Sequence, residues 1–326
     1  MLFFSKHHDI DGLILDSELD VYNSERMFSG SAIAQEIRMR QLNGYLKKEF
    51  PIIAIDTTSI DYLITSYDNN IYDCVIGKIQ NDKKNNDFGK IIDMSNCYKQ
   101  LYKSKNLSNL LNINLKQVDS RFVDEFKRRT KLSSFSIVKF VFKELIVKQG
   151  LLVDENIFAA RLGIDKDKSS DWSKLKVQLN DLEYKGIMSN GWKRWWAFLI
   201  DKWWNNTLKE KSRLQTTSAE MRVEAIKKHY NLSNLVAATK IDKAGSDEFW
   251  TVCNGYGKPM DTIDGLIIRG QENLYPWQDY EYVSIDAALK KQGINNWHSL
   301  ANIEKSYFEE LKKNFTNNNQ ELFTHT

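Results

Sequence analysis

Two histidines and two carboxylates crowd the start of the chain, in "HHDID": His7, His8, Asp9 and Asp11. These are metal-ligating types, although so close to a chain terminus such residues more often sit in solvent. Asp11 recurs in an internal echo. "IDGLILDSELDVY" at 10–22 and "IDGLIIRGQENLY" at 263–275 share Ile-Asp-Gly-Leu-Ile and a tyrosine at the same offset. Asp11 and Asp264 could serve metal or acid–base chemistry. Asp-Gly turns ahead of strands account for them more simply. Cys253 has Lys258 and Asp261 close in sequence but no histidine to activate its thiol. Phosphate-loop, dinucleotide, hydrolase-elbow, zinc-protease and calcium-loop patterns do not occur. Whether the chain is an enzyme is therefore left open at the level of motifs.

The elements that must position these groups read as α+β. At 326 residues the chain is long enough for two or three domains, and 42% hydrophobic content supplies their cores. A net charge of +3 permits a polyanionic partner without requiring one. Three widely spaced cysteines with no C-x-x-C pair indicate neither a disulfide framework nor a thiolate zinc site, so a reducing, cytoplasmic setting is expected. No apolar run approaches the roughly 18–20 residues of a membrane helix, so no membrane partner is expected.

Three blocks follow from the patterning. Residues 1–130 mix a helix over "SGSAIAQEIRMRQLNGYLKKEF", capped by Ser29 or Ser31, with a strand meander at 51–80 that turns at Asp68-Asn69-Asn70. Residues 81–90 read as a polar loop. Residues 131–210 are mostly helical: "SSFSIVKFVFKELIVKQG" from a Ser133 or Ser134 cap to Gly150, "DENIFAARLG" between Asp154 and Gly163, and "SSDWSKLKVQLNDLEYKG" from a Ser170 or Asp171 cap to Gly186. In the last, Trp172, Leu175, Leu179 and Leu182 repeat at helical spacing. Residues 211–326 return to mixed structure, with helices at "SAEMRVEAIKKHY" and "SIDAALKKQG" and strands at "DEFWTVC" and "LIIRG".

Three helices, the short second one "DENIFAARLGI", and an aromatic segment after "SNGW" resemble the winged helix-turn-helix superfamily over residues 133–205. The resemblance implies a central winged-helix domain flanked by two mixed α/β blocks. It also implies a nucleic-acid partner, with the third helix in the major groove of duplex DNA and the wing on the backbone. Its contacts would be Ser173, Lys174, Lys176, Gln178 and Asn180 on the helix and Lys193 and Arg194 on the wing, whose turn is Asn190-Gly191. Such a protein could be the targeting part of a regulatory or defence system. Two features depart from the superfamily. The connection "IDKDKSSD" is long, and Lys174, Lys176 and Lys185 are offset by Asp171, Asp181 and Glu183. Winged helices also serve as protein-binding modules, so a protein partner held by the winged helix and the tryptophan-rich helix that follows it is a further reading.

Five tryptophans fall within "GWKRWWAFLIDKWW" at 191–204. Trp195, Leu199 and Trp203 share one helical stripe and Trp196, Ile200 and Trp204 its neighbour. The segment is therefore expected to be a helix that seals a small core, rather than a platform for stacked bases.

Asp56, with Thr57 and Thr58 in "IIAIDTTSIDYLITSYDNN", resembles the opening hairpin of the actin-like ATPases and, more distantly, of ribonuclease H-like nucleases. That likeness implies a catalytic Asp56 with Mg²⁺, hydrolysing a nucleotide or phosphodiester. Outside that alternative no cofactor is expected. An Asp capping its own turn is the structural reading.

Overall fold

A computed structural model describes residues 10–16, 30–56, 71–77, 87–208, 212–291 and 300–323. Helices mix with small sheets, in line with the α+β expectation. The chain divides into two compact units, Met1–Val147 with Tyr184–Lys193, and Lys148–Glu183 with Arg194–Thr326. These limits cut through residues 131–210, which the sequence reads as one block.

Unit 1 begins with β1 (Leu13–Asp16), α1 (Gly30–Leu42), β2 (Ile52–Asp56) and β3 (Cys74–Gly77). The three strands form a parallel sheet in the order β1-β2-β3, with Leu15 opposite Ala54 and Ala54 opposite Val75. A meander over 51–80 would pair successive strands antiparallel, so that expectation is corrected. The physical reason is visible in β2. Ile52, Ile53 and Ala54 are all buried, the continuous apolar run of a strand covered on both faces rather than the alternation of a half-exposed one. The turn at 68–70 lies outside the described residues.

At the amino-terminal ends of β2 and β3, the Asp73 carboxylate accepts from Arg38 Nη2 at 2.6 Å, Tyr98 at 2.5 Å and the Ile52 amide at 2.7 Å. Arg38 also donates to Gln41 at 2.6 Å and covers the Phe135 ring at 3.8 Å. Burial opposes the Arg38 charge, but Asp73 and Tyr98 outweigh it and hold the guanidinium above its ordinary pKa.

Helices complete unit 1: α2 (Asp87–Lys103), α3 (Leu107–Leu111), α4 (Ser120–Arg129) and α5 (Ser134–Val141), which widens into a π-turn over Phe142–Val147. The polar loop expected to reach residue 90 gives way to α2 at Asp87. Helix α5 is apolar nearly all round and packs against α2 and α4, where Phe140 stacks on Phe122 at 5.7 Å. Its first amides are satisfied by Ser133 and by Glu49, which accepts from Ser134 and Phe135 at 3.0 Å each.

Unit 2 opens with β4 (Leu152–Val153), α6 (Glu155–Arg161), α7 (Trp172–Gln178), β5 (Trp195–Trp196), α8 (Ala197–Trp203) and α9 (Ala219–Tyr230). β4 pairs antiparallel with β5, and Glu183 bridges to Trp195. Trp195 and Trp196 are thus strand residues and not the first helical turn, because pairing to Leu152–Val153 takes them before the helix starts at Ala197. The third helix also ends at Gln178, well short of Gly186.

The rings point inward as the sequence suggests. Trp172, Trp195, Trp196, Trp203 and Trp204 are each at most 7% exposed, which removes them as base-stacking surfaces. Trp195 lies flat on Phe158 at 4.7 Å. The Trp203 and Trp204 indoles donate to the Tyr230 hydroxyl and the Ser212 carbonyl, both at 2.8 Å.

From α9, Arg222 donates to the carbonyls of Arg161 at 2.9 Å and Phe249 at 2.7 Å, and so satisfies the end of α6. Burial lowers its pKa to about 10 against the pull of Glu248, Asp247 and Asp261. The remainder comprises β6 (Thr251–Val252), β7 (Pro259–Met260), β8 (Gly265–Ile267), β9 (Tyr282–Ser284), α10 (Ile285–Leu289) and α11 (Lys305–Phe323). The two copies of the echo lead into different sheets, parallel at β1 and an antiparallel β8–β9 pair, so they do not share a fold piece. Among the described residues, no helix is long and apolar enough to cross a membrane.

Candidate nucleic-acid interface

The helix singled out from sequence owes its orientation to its apolar residues. Trp172, Leu175 and Leu179 are buried, which turns Ser173, Lys174, Val177 and Gln178 outward. Two devices bring the chain to this point. Asp154 caps α6 by accepting from the Ile157 amide at 2.9 Å. Gly163, at φ +73°, reverses the chain where a Cβ would lie 2.7 Å from Ala219 Cα. The connection that follows is the long one noted in the sequence. Residues 165–168, with Thr239 and Lys258, wall a cleft of about 260 Å³.

Of the sequence-derived contacts, Ser173, Lys174 and Gln178 share the exposed face of α7, and Asn180 is exposed just beyond its end. Lys176 lies on the flank. Both helix lysines already have anionic partners. Lys174 meets Asp171 at 2.7 Å, and Lys176 meets Glu155 at 2.6 Å. The Trp172 indole donates to the same Glu155 oxygen at 2.8 Å. Burial pushes the Glu155 carboxyl up, but Lys176 and Trp172 outweigh it, so it titrates below its ordinary range. Lys174 and the Asn234 amide lower Asp171 likewise. Val177, which the sequence reading passed over, is 73% exposed near the centre of the face. Its place is legible in the heptad spacing, opposite Leu175 and Leu179.

The connection 184–194, expected to be the wing, differs from a free hairpin. Glu183 and Trp195 pair across the whole connection 184–194, so Asn190-Gly191 is not a two-residue hairpin turn. Within unit 1 the loop is held down. Tyr184 is fully buried, and the Ile187 amide donates to Leu110 at 2.8 Å. The Asp93 carboxylate accepts from the Asn190 and Gly191 amides at 3.0 and 2.9 Å. A Cβ on residue 191 would stand 2.9 Å from Lys90 Cα. Lys193 is exposed, whereas Arg194 is partly withdrawn from solvent, and burial lowers its pKa against the pull of Asp154.

The other constellations divide. Asp56 ends β2, the central strand, and Asp16 ends β1 beside it. Carboxyl ends of parallel strands are where open α/β sheets take ligands. Thr57, Thr58, the returning strand of the expected hairpin, His7, His8 and Asp9 lie outside the described residues. Asp11 is engaged by Lys99 at 2.6 Å and Lys48 at 2.9 Å, which hold its pKa low. Asp264 accepts from the Gly245 and Ser246 amides, the turn role. Cys253 is buried, its sulfur 3.2 Å from the Ser284 hydroxyl, which closes it to reaction. Among the described residues, no cluster of three or more His, Cys, Asp or Glu could hold a metal ion.

Comparison of the chain with protein-family models, curated proteins and solved structures finds no match.

Proposed function

We propose that the chain binds duplex DNA through the exposed face of α7, presented by a winged helix. The observation that carries this reading is the strand arrangement. β4 falls between the first and second helices, and β5 pairs with β4 while Trp195 also bridges to Glu183 after the third helix. This order along the chain resembles that of the winged-helix superfamily and supports the reading.

On that face Gln178 and Asn180 carry the donor–acceptor pairs that suit adenine, and Ser173 can serve either base edge or phosphate. The wing is committed elsewhere, so contact falls on the helix. Lys174 and Lys176 reach phosphate only by exchanging Asp171 and Glu155. Binding should therefore release few counterions, with a log–log salt slope of about −2 rather than the steep slopes of basic binders.

Mobility-shift titration of a randomised duplex pool at several salt concentrations tests this. Expected are selection of a preferred sequence, relaxation of that preference by Gln178→Ala with Asn180→Ala, and a slope shallower by about one for Lys174→Ala. Absence of binding at about 10⁻⁵ M at low salt would remove the proposal, since non-specific binding alone reaches about that affinity.

A second reading rests on Asp56 at the carboxyl end of the central parallel strand. It makes unit 1 a nucleotide- or phosphodiester-hydrolysing domain dependent on Mg²⁺. Turnover with Mg²⁺ that vanishes in Asp56→Ala, while α7 variants leave it intact, would favour it.

A further inference from the structure

Arg161 of α6 is 3% exposed, yet its guanidinium is only partly used. Nε donates to the Trp250 carbonyl at 3.3 Å, and Nη2 to a single oxygen of Asp279 at 2.7 Å. Among the described residues Nη1 meets no acceptor. The guanidinium lies over the Trp250 ring at 4.4 Å, which fixes its plane.

Arg161 lines a cleft of about 140 Å³ whose walls include Trp250, Thr251, Thr262, Gln278 and Tyr280. A cavity of about 150 Å³ holds a benzene ring, so this cleft, which opens to solvent, takes a carboxylate and part of a ring with the far edge left outside. The Asp279 side chain is 47% exposed, so its carboxylate can turn to water once an incoming anion takes over the charge of the buried Arg161. Asp201 also faces Arg161 electrostatically, and burial raises its own pKa.

We propose that this cleft binds a small planar carboxylate, about the size of benzoate, on the open side of the Arg161 fork. A planar anion with two oxygens in line matches the guanidinium edge. Thr251, Thr262 and Gln278 offer further polar contacts, and the tyrosine at the rim offers an apolar wall. Asp279 competes for the same cation, so it acts as an internal ligand that the incoming carboxylate partly replaces. This inference is independent of any role for α7.

Titration of the full chain with benzoate, read by calorimetry and by the Trp250 indole N–H resonance, tests it. Benzoate should bind saturably at millimolar concentration, and benzamide, its neutral isostere, should not. Asp279→Asn removes the competing charge and keeps an acceptor, so it should tighten benzoate binding about tenfold. Arg161→Lys, which keeps the charge but loses the fork, should abolish it. If Arg161→Lys does not fold, the Asp279→Asn comparison alone decides. Three results would each overturn the proposal: no saturable binding to either wild type or Asp279→Asn at 20 mM (about the weakest useful affinity), equal binding of benzamide, or stronger binding of inorganic phosphate than of benzoate.

Discussion

Replacing Trp195 by alanine tests whether the tryptophan cluster is a core or a binding surface. The ring is 3% exposed and lies parallel to Phe158 at 4.7 Å. A buried indole removes about 200 Å² from water, which at about 25 cal/mol per Å² sets an upper bound near 5 kcal/mol. Cavity-forming Trp→Ala changes cost about 3–5 kcal/mol in practice. Trp195→Ala should therefore cost unit 2 about 3–5 kcal/mol, a large share of a typical domain's stability of about 5–15 kcal/mol. Trp195→Phe keeps the stacking partner and most of the volume and should cost about 1–2 kcal/mol. Urea unfolding followed by near-ultraviolet circular dichroism reads both, since the indoles of this cluster dominate that signal. A loss below about 1 kcal/mol in Trp195→Ala, with DNA binding abolished at the same time, would refute the reasoning, because the ring would then be working in solvent.

Three further perturbations follow from the packing. Asp73→Asn leaves Arg38 buried without its counter-charge and should cost unit 1 about 3–5 kcal/mol, read as faster hydrogen exchange at Ile53 and Ala54; Arg38→Met combined with Asp73→Asn removes the unpaired charge, keeps an acceptor for Ile52 and Tyr98, and should recover part of it. Glu155 titrates below its ordinary 4.5, so the stability it contributes is complete above that value and is lost as pH falls through its lower folded value. Glu155→Gln should accordingly flatten the acid limb of a stability–pH curve below about 4.5 and leave neutral pH nearly unchanged in slope. Gly163→Ala combines φ +73° with a Cβ 2.7 Å from Ala219 Cα, whereas Gly257→Ala has φ +66° and open space; the first should lower the thermal midpoint clearly more than the second.

Local signals carried much of the fold into the sequence. Ser133, Asp154, Ser218 and Ser284 each cap the helix their position announces. The inward face of α7 follows from Trp172, Leu175 and Leu179. What stayed illegible was non-local. The apolar run of β2 fits a parallel strand and a meander equally well until its neighbours are known. Trp195 and Trp196 satisfy a helical stripe, yet strand pairing with Leu152–Val153 takes them first. Asn190-Gly191 has the chemistry of a hairpin turn, but Asp93, far away in sequence, captures both amides. For the candidate interface, the residue types on α7 were readable. The ion pairs that occupy Lys174 and Lys176 were only half so, since Asp171 is a sequence neighbour and Glu155 is not.

The path of the chain through residues 184–193 bears on how the molecule is made. Tyr184, Ile187 and Met188 fill the interior of unit 1, although the ribosome delivers them after the first helices of unit 2. The amino-terminal unit cannot finish its core during synthesis until residue 193 has emerged. A fragment cut at 147 would carry an empty slot, with the Asp93 carboxylate and the Leu110 carbonyl stripped of their donors. Supplying the missing decapeptide in trans should restore what the truncation removes.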